Sequence, residues 1–521
     1  MAHAFSPDRP VPVPLGEVAR VLGVTPIGSD SARGRPAVTE DGRPLVHGVA
    51  VAAQDVRPGA LFAALPGRRT HGADHVDAAR RAGAVAVLTD PAGAERARSA
   101  GLPVLVVDRP RDVLGPVAAL VHGTHRLPFP VIGVTGTNGK TTTVHVLDAV
   151  LRRLGRRTAS SSTVERRIGD TAAPSALTTP EAPELHAFLA AAVEHGVDAA
   201  VLEVSAQAVT RHRVDGLVLD VVGFTNLSHD HLDDYADMDE YLAAKAALFT
   251  PTRSRSGVVS LDSAAGVRVA AESSVPVTTI TTVPGVAADW RVAVHEQHPD
   301  RTLGVVTTPD DTTVPFEVPL LGVHAAADTG LAVALLATSG VAVDDLRTAL
   351  ATPLDVVVPG RMADASAAAG PRVYVDFAHT PDAFAKSLDA VRAFSTGRIG
   401  IVLGADGDRD PSKRRAMGEV AAGRADVVVV ADHHPRFEAP GPIRAAILQG
   451  ARSVAATGTL VVEEPDPARA IRRAIAEVGD DGVVYWAGPG LTDYRDIRGA
   501  HVPYSSFRDA RRALGELGYD D

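Results

Sequence analysis

The sequence predicts an α/β protein of three domains, and three observations predict it. The chain of 521 residues is long enough for about three domains. Short apolar runs alternate with segments of helical periodicity along nearly its whole length. A glycine-rich turn joins one of those runs to a helix at 135–140.

The first domain is expected over 1–127, where "RPGALFAALPG" and "AARRAGAVAVLTDP" read as strands and a helix of a small α/β unit. "THRLPFP" reads as a linker, because Pro128 and Pro130 interrupt regular structure. The second domain is expected over 128–356. It opens on "VIGV" and continues through the strands "DAAVLEV" and "LDVVGFTNLS", which implies a mostly parallel sheet covered on both faces. The third, 357–521, begins near "VVVPGRM" and repeats the alternation in "RVYVDFAH", "RIGIVLGADGD", "DVVVVADHH" and "GVVYWAGPG". Each of these strands runs into a loop rich in Gly, Asp or His, and ligands bind at that carboxyl edge of an open α/β sheet.

Composition narrows the function. A hydrophobic content of 45% supports full-sized cores, and no segment approaches the roughly 20 apolar residues that span a bilayer. The first residues lack a charged start followed by an apolar stretch, and the chain has no cysteine; both fit a cytoplasmic protein without thiol chemistry or cysteine-held zinc. A net charge of −11 argues against a nucleic-acid groove and for a small-molecule substrate.

The stretch "VIGVTGTNGKTTTVHVL" carries the strongest chemistry. Its β-branched run reads as a buried strand, "TGTNG" as a turn that permits close backbone approach, and "KTTTVHVLDAVLRRLG" as a helix ending in glycine. Such a loop points N–H groups and a helix N-terminus at an anion, with Lys140 and Thr141 supplying phosphate charge and a Mg²⁺ hydroxyl. Gly133 and Gly136 do not sit five residues before Gly139, so the spacing departs from the standard phosphate loop. Glu203 closes one strand and His231 follows the next, where a carboxylate and an imidazole can converge on a cation; Asp230 and Asp233 compete for that role. Lys245 lies on a helix that is apolar almost all round. It either snorkels to water or is buried with a lowered pKa, its neutral amine then open to covalent chemistry.

Taken in order, "GVTGTNGKTTT", "TTPEAPEL", "LEVSAQAVTRHRVDG", "FTNLSHDHLDDY", "YLAAKAALF", "PGRM", "DFAHTPDA", "GADGDRDPSKR" and "DHHPRFEAP" resemble the motif series of the Mur ligases, those of the MurE type above all. "AQDVRPGALFAALPGRRTHGADHV" is similar to the UDP-binding domain of that type rather than to a folylpolyglutamate synthetase. The resemblance implies a P-loop-type central sheet, a Rossmann-like C-terminal domain, and an ATP-dependent ligase that adds an amino acid to UDP-N-acetylmuramoyl-L-alanyl-D-glutamate through an acyl phosphate, in peptidoglycan synthesis. It implies a monomer with a UDP-sugar peptide and an amino acid as substrates, and neither nucleic acid nor membrane as partner. Domain closure is expected to bring the ATP, UDP-sugar and amino-acid sites together.

Carried over by motif, Gly136, Thr137, Asn138, Gly139, Lys140, Thr141 and Thr142 would cradle the nucleotide, with Asn226, Arg361, Asp376 and His379 around it. Thr141 and Glu203 would hold one Mg²⁺ and His231 a second. Lys245 matches the lysine that this family carbamylates, CO₂ turning its amine into an oxygen ligand. Thr178, Thr179, Ser205 and Arg213 match contacts to the UDP-sugar peptide. Arg409, His434, Arg436, Gly488 and Thr492 match the amino-acid site.

Several of these positions depart from the pattern. His433-His434-Pro435-Arg436 replaces Asp-Asn-Pro-Arg, and Gly488-Pro489-Gly490-Leu491-Thr492 replaces Gly-Lys-Gly-His-Glu. Thr492 therefore stands where a glutamate would meet the second ammonium of meso-diaminopimelate. A lost charge-assisted hydrogen bond costs about 1.5–3 kcal/mol. Ala325 and Asp328 stand where two asparagines usually lie near the adenine, and Ala206-Gln207 replaces a Ser-His pair. Three readings follow. One is a MurE-type ligase with meso-diaminopimelate as acceptor, because Arg409 and Arg436 remain. A second is a MurE-like paralogue joining another amino acid or a different carboxylate, in specialised metabolism. A third is a non-catalytic binding protein of the same fold. A lysine acceptor is disfavoured if the charge of Arg436 lines the pocket.

Overall fold

The computed structural model describes residues 5–28, 44–67 and 70–519. Residues 1–4, read above for an export signal, and Arg68 and Arg69 of the UDP-domain motif lie outside them.

The amino-terminal part holds a parallel sheet of Gly48–Ala50, Ala60–Ala64, Ala86–Thr89 and Val104–Val106, in that order. The central sheet has 11 strands, with Val131–Thr135 between Ala199–Glu203 and Leu219–Phe224. Its middle is parallel from Thr158–Ser161 across to Trp290–Gln297. Both edges are antiparallel, a finding the sequence reading of a mostly parallel sheet did not resolve: a hairpin of Glu165–Ile168 and Thr171–Pro174 ends one side, and Thr302–Thr307 and Thr313–Val318 end the other. The connections there are too short for a crossover, so consecutive strands can pair only antiparallel.

The apolar run at Val131 is continuous because the strand is covered on both faces. Val131 packs into a core with Phe188, Leu202 and Phe224, whereas Ile132 and Val134 point into the opposite core with Leu147 and Leu335. Each such buried side chain contributes about 1.5–3 kcal/mol of transfer free energy. The third sheet runs Ala363–Asp364, Arg372–Asp376, Val483–Ala487, Ile399–Leu403, Val427–Val430 and Leu460–Glu463, parallel except at its first strand. All four strands read from the sequence of this block are present.

Strand order fixes where a ligand can sit. From Val131–Thr135 the chain passes through helix Lys140–Arg153 to Thr158–Ser161 on one side, whereas from Ala199–Glu203 it crosses to Leu219–Phe224 on the other. The reversal opens a crevice at the carboxyl end of Val131–Thr135.

Helix Ala182–Glu194 ties the central sheet to the amino-terminal helix Pro110–His122. His186 at that contact is fully buried, 2.6 Å from the Thr124 hydroxyl and 3.0 Å from the Asp215 carbonyl. Burial pushes its imidazole down to about 4. The unfolded chain binds this proton near pH 6.5 and the folded one only near pH 4, so stability falls as pH drops through that window. The expected loss is about 3 kcal/mol at most. Urea titrations at pH 7 and pH 4.5 check it: the midpoint of His186→Gln should fall less with acid than that of the wild type, and equal falls would remove His186 as the cause.

Candidate active site

The turn after Val131–Thr135 enters the crevice under two steric constraints. Gly136 has φ +146°, and a Cβ there would lie 1.8 Å from the Thr225 hydroxyl; Gly139 has φ +88°, and a Cβ would lie 2.2 Å from an Asp328 carboxylate oxygen. Only glycine meets both conditions. The loop is then pinned to the neighbouring strand end: the Thr137 amide donates to the Asn226 carbonyl at 2.8 Å, the Asn138 amide to Asn226 Oδ1 at 3.1 Å, and the Thr225 hydroxyl to the Asn138 carbonyl at 2.6 Å. Helix Lys140–Arg153 starts directly after it, so free N–H groups and the positive end of a helix dipole face the crevice.

Lys140 donates to the Thr137 carbonyl at 2.9 Å and lies 3.8 Å from Glu203. Burial lowers its pKa, and Glu203 opposes that shift. Glu203 is buried and accepts from the Thr141 hydroxyl at 3.0 Å and from the Thr163 amide and hydroxyl at 2.7 and 3.0 Å. His231, at φ +58°, is held by the Gln207 amide 3.1 Å from Nδ1, and that amide also donates to Asp234 at 2.7 Å. Burial pushes His231 down to about 4, so it is a neutral imidazole at pH 7. The Glu203 carboxylate and the Thr141 hydroxyl, 3.0 Å apart, make an oxygen donor pair that fits Mg²⁺, while the His231 imidazole groups with the carboxylates of Asp233 and Asp234.

Lys245 is 1% exposed, which decides between the two readings of that helix: it is buried. Its Nζ donates to the Gly136 carbonyl at 2.6 Å and lies 4.2 Å from the centre of the Tyr241 ring. Burial and then Lys140 hold its pKa well below the usual lysine range.

The carboxyl ends of the third sheet face this crevice and close it. Asp230 is buried between the domains, with Lys413 Nζ at 2.8 Å and His379 at 3.4 Å. Although burial raises its pKa, His379, Lys413 and His231 hold it far below the carboxylate range. Asn138 donates to Asp382 at 3.1 Å, His229 meets Asp410 at 3.1 Å and Arg409 meets Asp233 at 3.4 Å. Arg361 donates to the Thr141 hydroxyl at 3.2 Å while its guanidinium covers the Phe377 ring. Asp376 accepts from the Tyr485 hydroxyl at 2.8 Å and the Phe377 amide at 2.9 Å.

One cavity of about 930 Å³ results, reaching from the phosphate loop to the third sheet. On its central wall stand Thr137 to Thr142, Thr178, Glu203, Ser205, Arg213, Asn226 and His231. On its other wall stand Arg361, Asp376, His379, Arg409, His434, Arg436, Gly488 and Thr492. Three residues expected in the site do not line it. Gly136 opens the phosphate loop against the Thr225 hydroxyl, and Lys245 is buried against the Gly136 carbonyl. Thr179 is 1% exposed, its hydroxyl donating to the Glu203 carbonyl at 2.8 Å, so it braces the strand end from behind. Arg213 reaches the wall while paired with Glu181 at 3.1 Å. Of the pair read near an adenine, Asp328 lines the cavity and Ala325 is packed in the core; burial raises Asp328 to about 8, which keeps it largely protonated at pH 7.

Sequence reasoning assigned no role to Lys413, Asp382 or Asp406. Lys413 and Asp406 lie inside the quoted motif "GADGDRDPSKR", whose charge density was the available signal; Asp382 follows the strand-end histidine in "AHTPDA".

Three family descriptions match the chain: "Mur ligase family, catalytic domain" over residues 45–122, "Mur ligase middle domain" over 134–336, and "Mur ligase, glutamate ligase domain" over 360–490. A UDP-N-acetylmuramyl-tripeptide synthetase of Leifsonia xyli subsp. xyli is 48% identical across 99% of this chain and 98% of its own. A UDP-N-acetylmuramoyl-L-alanyl-D-glutamate--2,6-diaminopimelate ligase of Streptomyces coelicolor is 41% identical, with 98% of each chain covered. A solved structure of a ligase of that second name superposes with a TM-score of 0.64 at 24% identity, covering 97% of this chain and 99% of its own, a likeness of fold.

Proposed function

The chain belongs to the Mur ligase family of ATP-dependent ligases, and from that premise we propose that it joins an amino acid to the γ-carboxylate of UDP-N-acetylmuramoyl-L-alanyl-D-glutamate in the cytoplasm, as a step of peptidoglycan synthesis. One observation carries this reading: the phosphate loop and the arginine-bearing loops of the third sheet face each other across one cavity. Mur ligases use ATP and Mg²⁺.

The loop amides and Lys140 would receive the β- and γ-phosphates. Thr141 and Glu203 would hold one Mg²⁺ and His231 a second, and their charge would neutralise the phosphates. An oxygen of the γ-carboxylate attacks the γ-phosphorus and ADP leaves. The amino group of the acceptor then attacks the acyl carbon of the acyl phosphate, loses a proton, and inorganic phosphate departs. The protein's share is position and charge, supplied by Lys140, Arg361 and the cross-domain contacts of Asn138 and Asp230. Ser205, Thr178 and Arg213 lie where the UDP-sugar peptide would approach the phosphate loop.

Lys245 suits carbamylation. Its neutral amine adds CO₂ through nitrogen and releases a proton, and the carboxylate so formed would offset the charge of Lys140 next to it. The name of the relative from Streptomyces makes 2,6-diaminopimelate the reference acceptor. Thr492 and the surroundings of Arg436 favour the second reading, a different amino acid.

The test is phosphate release and product mass with purified protein, ATP, Mg²⁺ and UDP-N-acetylmuramoyl-L-alanyl-D-glutamate, across meso-diaminopimelate and a broad amino-acid panel. A new amide that requires the UDP-dipeptide supports the reading. Absence of any such product across the panel overturns it.

A further inference from the structure

Three loops at the carboxyl edge of the third sheet build the end of the cavity remote from the phosphate loop. Asp406 follows strand Ile399–Leu403, His433, His434 and Arg436 follow Val427–Val430, and Thr492 follows Val483–Ala487. Arg436 is only partly engaged there, its Nε being buried without a hydrogen-bond partner among the described residues. Its Nη2 donates to Asp406 Oδ2 at 3.0 Å, while the other carboxylate oxygen of Asp406 meets His433 Nδ1 at 2.6 Å. Both oxygens of Asp406 are therefore spent on the protein's own groups. The expectation that Arg436 repels a lysine ammonium assumed an unpaired guanidinium, and the pairing removes its basis.

We infer, resting on the ligase reading above, that Asp406 stands where a distal carboxylate of the acceptor would otherwise meet Arg436, so the acceptor is an amino acid whose side chain has no carboxylate and ends in a hydrogen-bond donor. The charge argument comes first. A second carboxylate at Arg436 would lie beside the Asp406 carboxylate, which Arg436 and His433 already engage. Like charges this close destabilise each other in a partly desolvated site. The neighbouring groups are neutral or already engaged: Thr492 is neutral, burial lowers His434 to about 4, Arg409 is paired with Asp233, and Arg495 donates to the His433 carbonyl at 2.9 Å.

The donor requirement comes from His433. With Nδ1 at a carboxylate, the proton sits on Nδ1 and Nε2 presents a lone pair. That Nε2 is buried without a hydrogen-bond partner and faces Gly488, whose missing side chain leaves space beside it. A terminal hydroxyl or amine satisfies it; a methyl or a carboxylate does not.

The experiment compares kcat/KM for meso-diaminopimelate with that for L-lysine, L-ornithine, L-homoserine and L-norleucine, using wild type, Asp406→Asn and Asp406→Gly. Wild type should favour at least one donor-bearing, carboxylate-free acceptor over meso-diaminopimelate by at least about tenfold, and over norleucine likewise. Both variants, which release Arg436, should shift the ratio toward meso-diaminopimelate by about tenfold or more, mainly through KM. A wild type that prefers meso-diaminopimelate, or a ratio indifferent to both substitutions, overturns this inference and leaves the ligase standing. No product with any acceptor overturns the ligase reading and this inference with it.

Discussion

Lys140→Ala is expected to abolish ATP-dependent phosphate release, a loss of about 10³-fold or more in kcat, on the scale seen when one preorganised charge is removed from a transferring phosphoryl group. The geometry explains why nothing nearby compensates. Arg361 is engaged with the Thr141 hydroxyl and the face of Phe377, and Lys245 with the Gly136 carbonyl. Lys413 is committed to Asp230 at 2.8 Å. Lys140 is held between a loop carbonyl and Glu203, and burial already works against its charge, so phosphate binding strengthens an ammonium that the empty pocket weakens. Lys140→Arg should fail nearly as badly, because a planar fork cannot replace a point charge in a space closed by Glu203 and Thr137. Circular dichroism should show both variants folded, since Lys140 contributes nothing to either central core. If Lys140→Ala kept more than about a tenth of wild-type activity, the phosphate would have to sit elsewhere.

Much of this arrangement was legible in the sequence because its signals are local. A strand buried on both faces must be apolar at every position, a loop squeezed between Thr225 and Asp328 must be glycine, and a strand end must carry polar groups if it faces a ligand. Those constraints leave marks within ten residues. What was not legible depends on contacts between distant segments. That Arg436 is paired with Asp406 and Lys413 with Asp230 follows from how two sheets and their loops meet, and a charged residue in a loop looks the same whether it is free or spent. Thr179 illustrates the same gap on a smaller scale. It stands beside Thr178 in the sequence, yet the turn sends one hydroxyl toward the cavity wall and the other to the Glu203 carbonyl behind it. The edge hairpins of the central sheet were missed for a different reason: pairing direction is set by loop length, not by the residues of the strands.

Lys245→Ala is expected to lower kcat by about 10²–10³, the range for loss of one preorganised electrostatic group, and the wild type should respond to bicarbonate while the variant does not. A buried lysine normally needs a carboxylate partner, yet Lys245 Nζ touches only a backbone carbonyl and an aromatic face, with Lys140 raising the cost of its charge. Burial shifts such an amine toward its neutral form, and a neutral amine is the form that takes up CO₂. A carbamate would reverse the sign of the site, placing a negative group beside the Gly136 carbonyl where it would offset the charge of Lys140. Activity measured in CO₂-depleted buffer should therefore be low and rise as bicarbonate is restored, with acid lowering it because protonation of the amine competes with carbamylation. Lys245→Arg separates charge from packing: it keeps a cation of similar length that cannot form the carbamate, and it should be as impaired as the alanine variant. If instead Lys245→Arg were near wild type, the residue would serve only to fill the space under Gly136, and the Mg²⁺ sites would rest on Thr141, Glu203 and His231 without it.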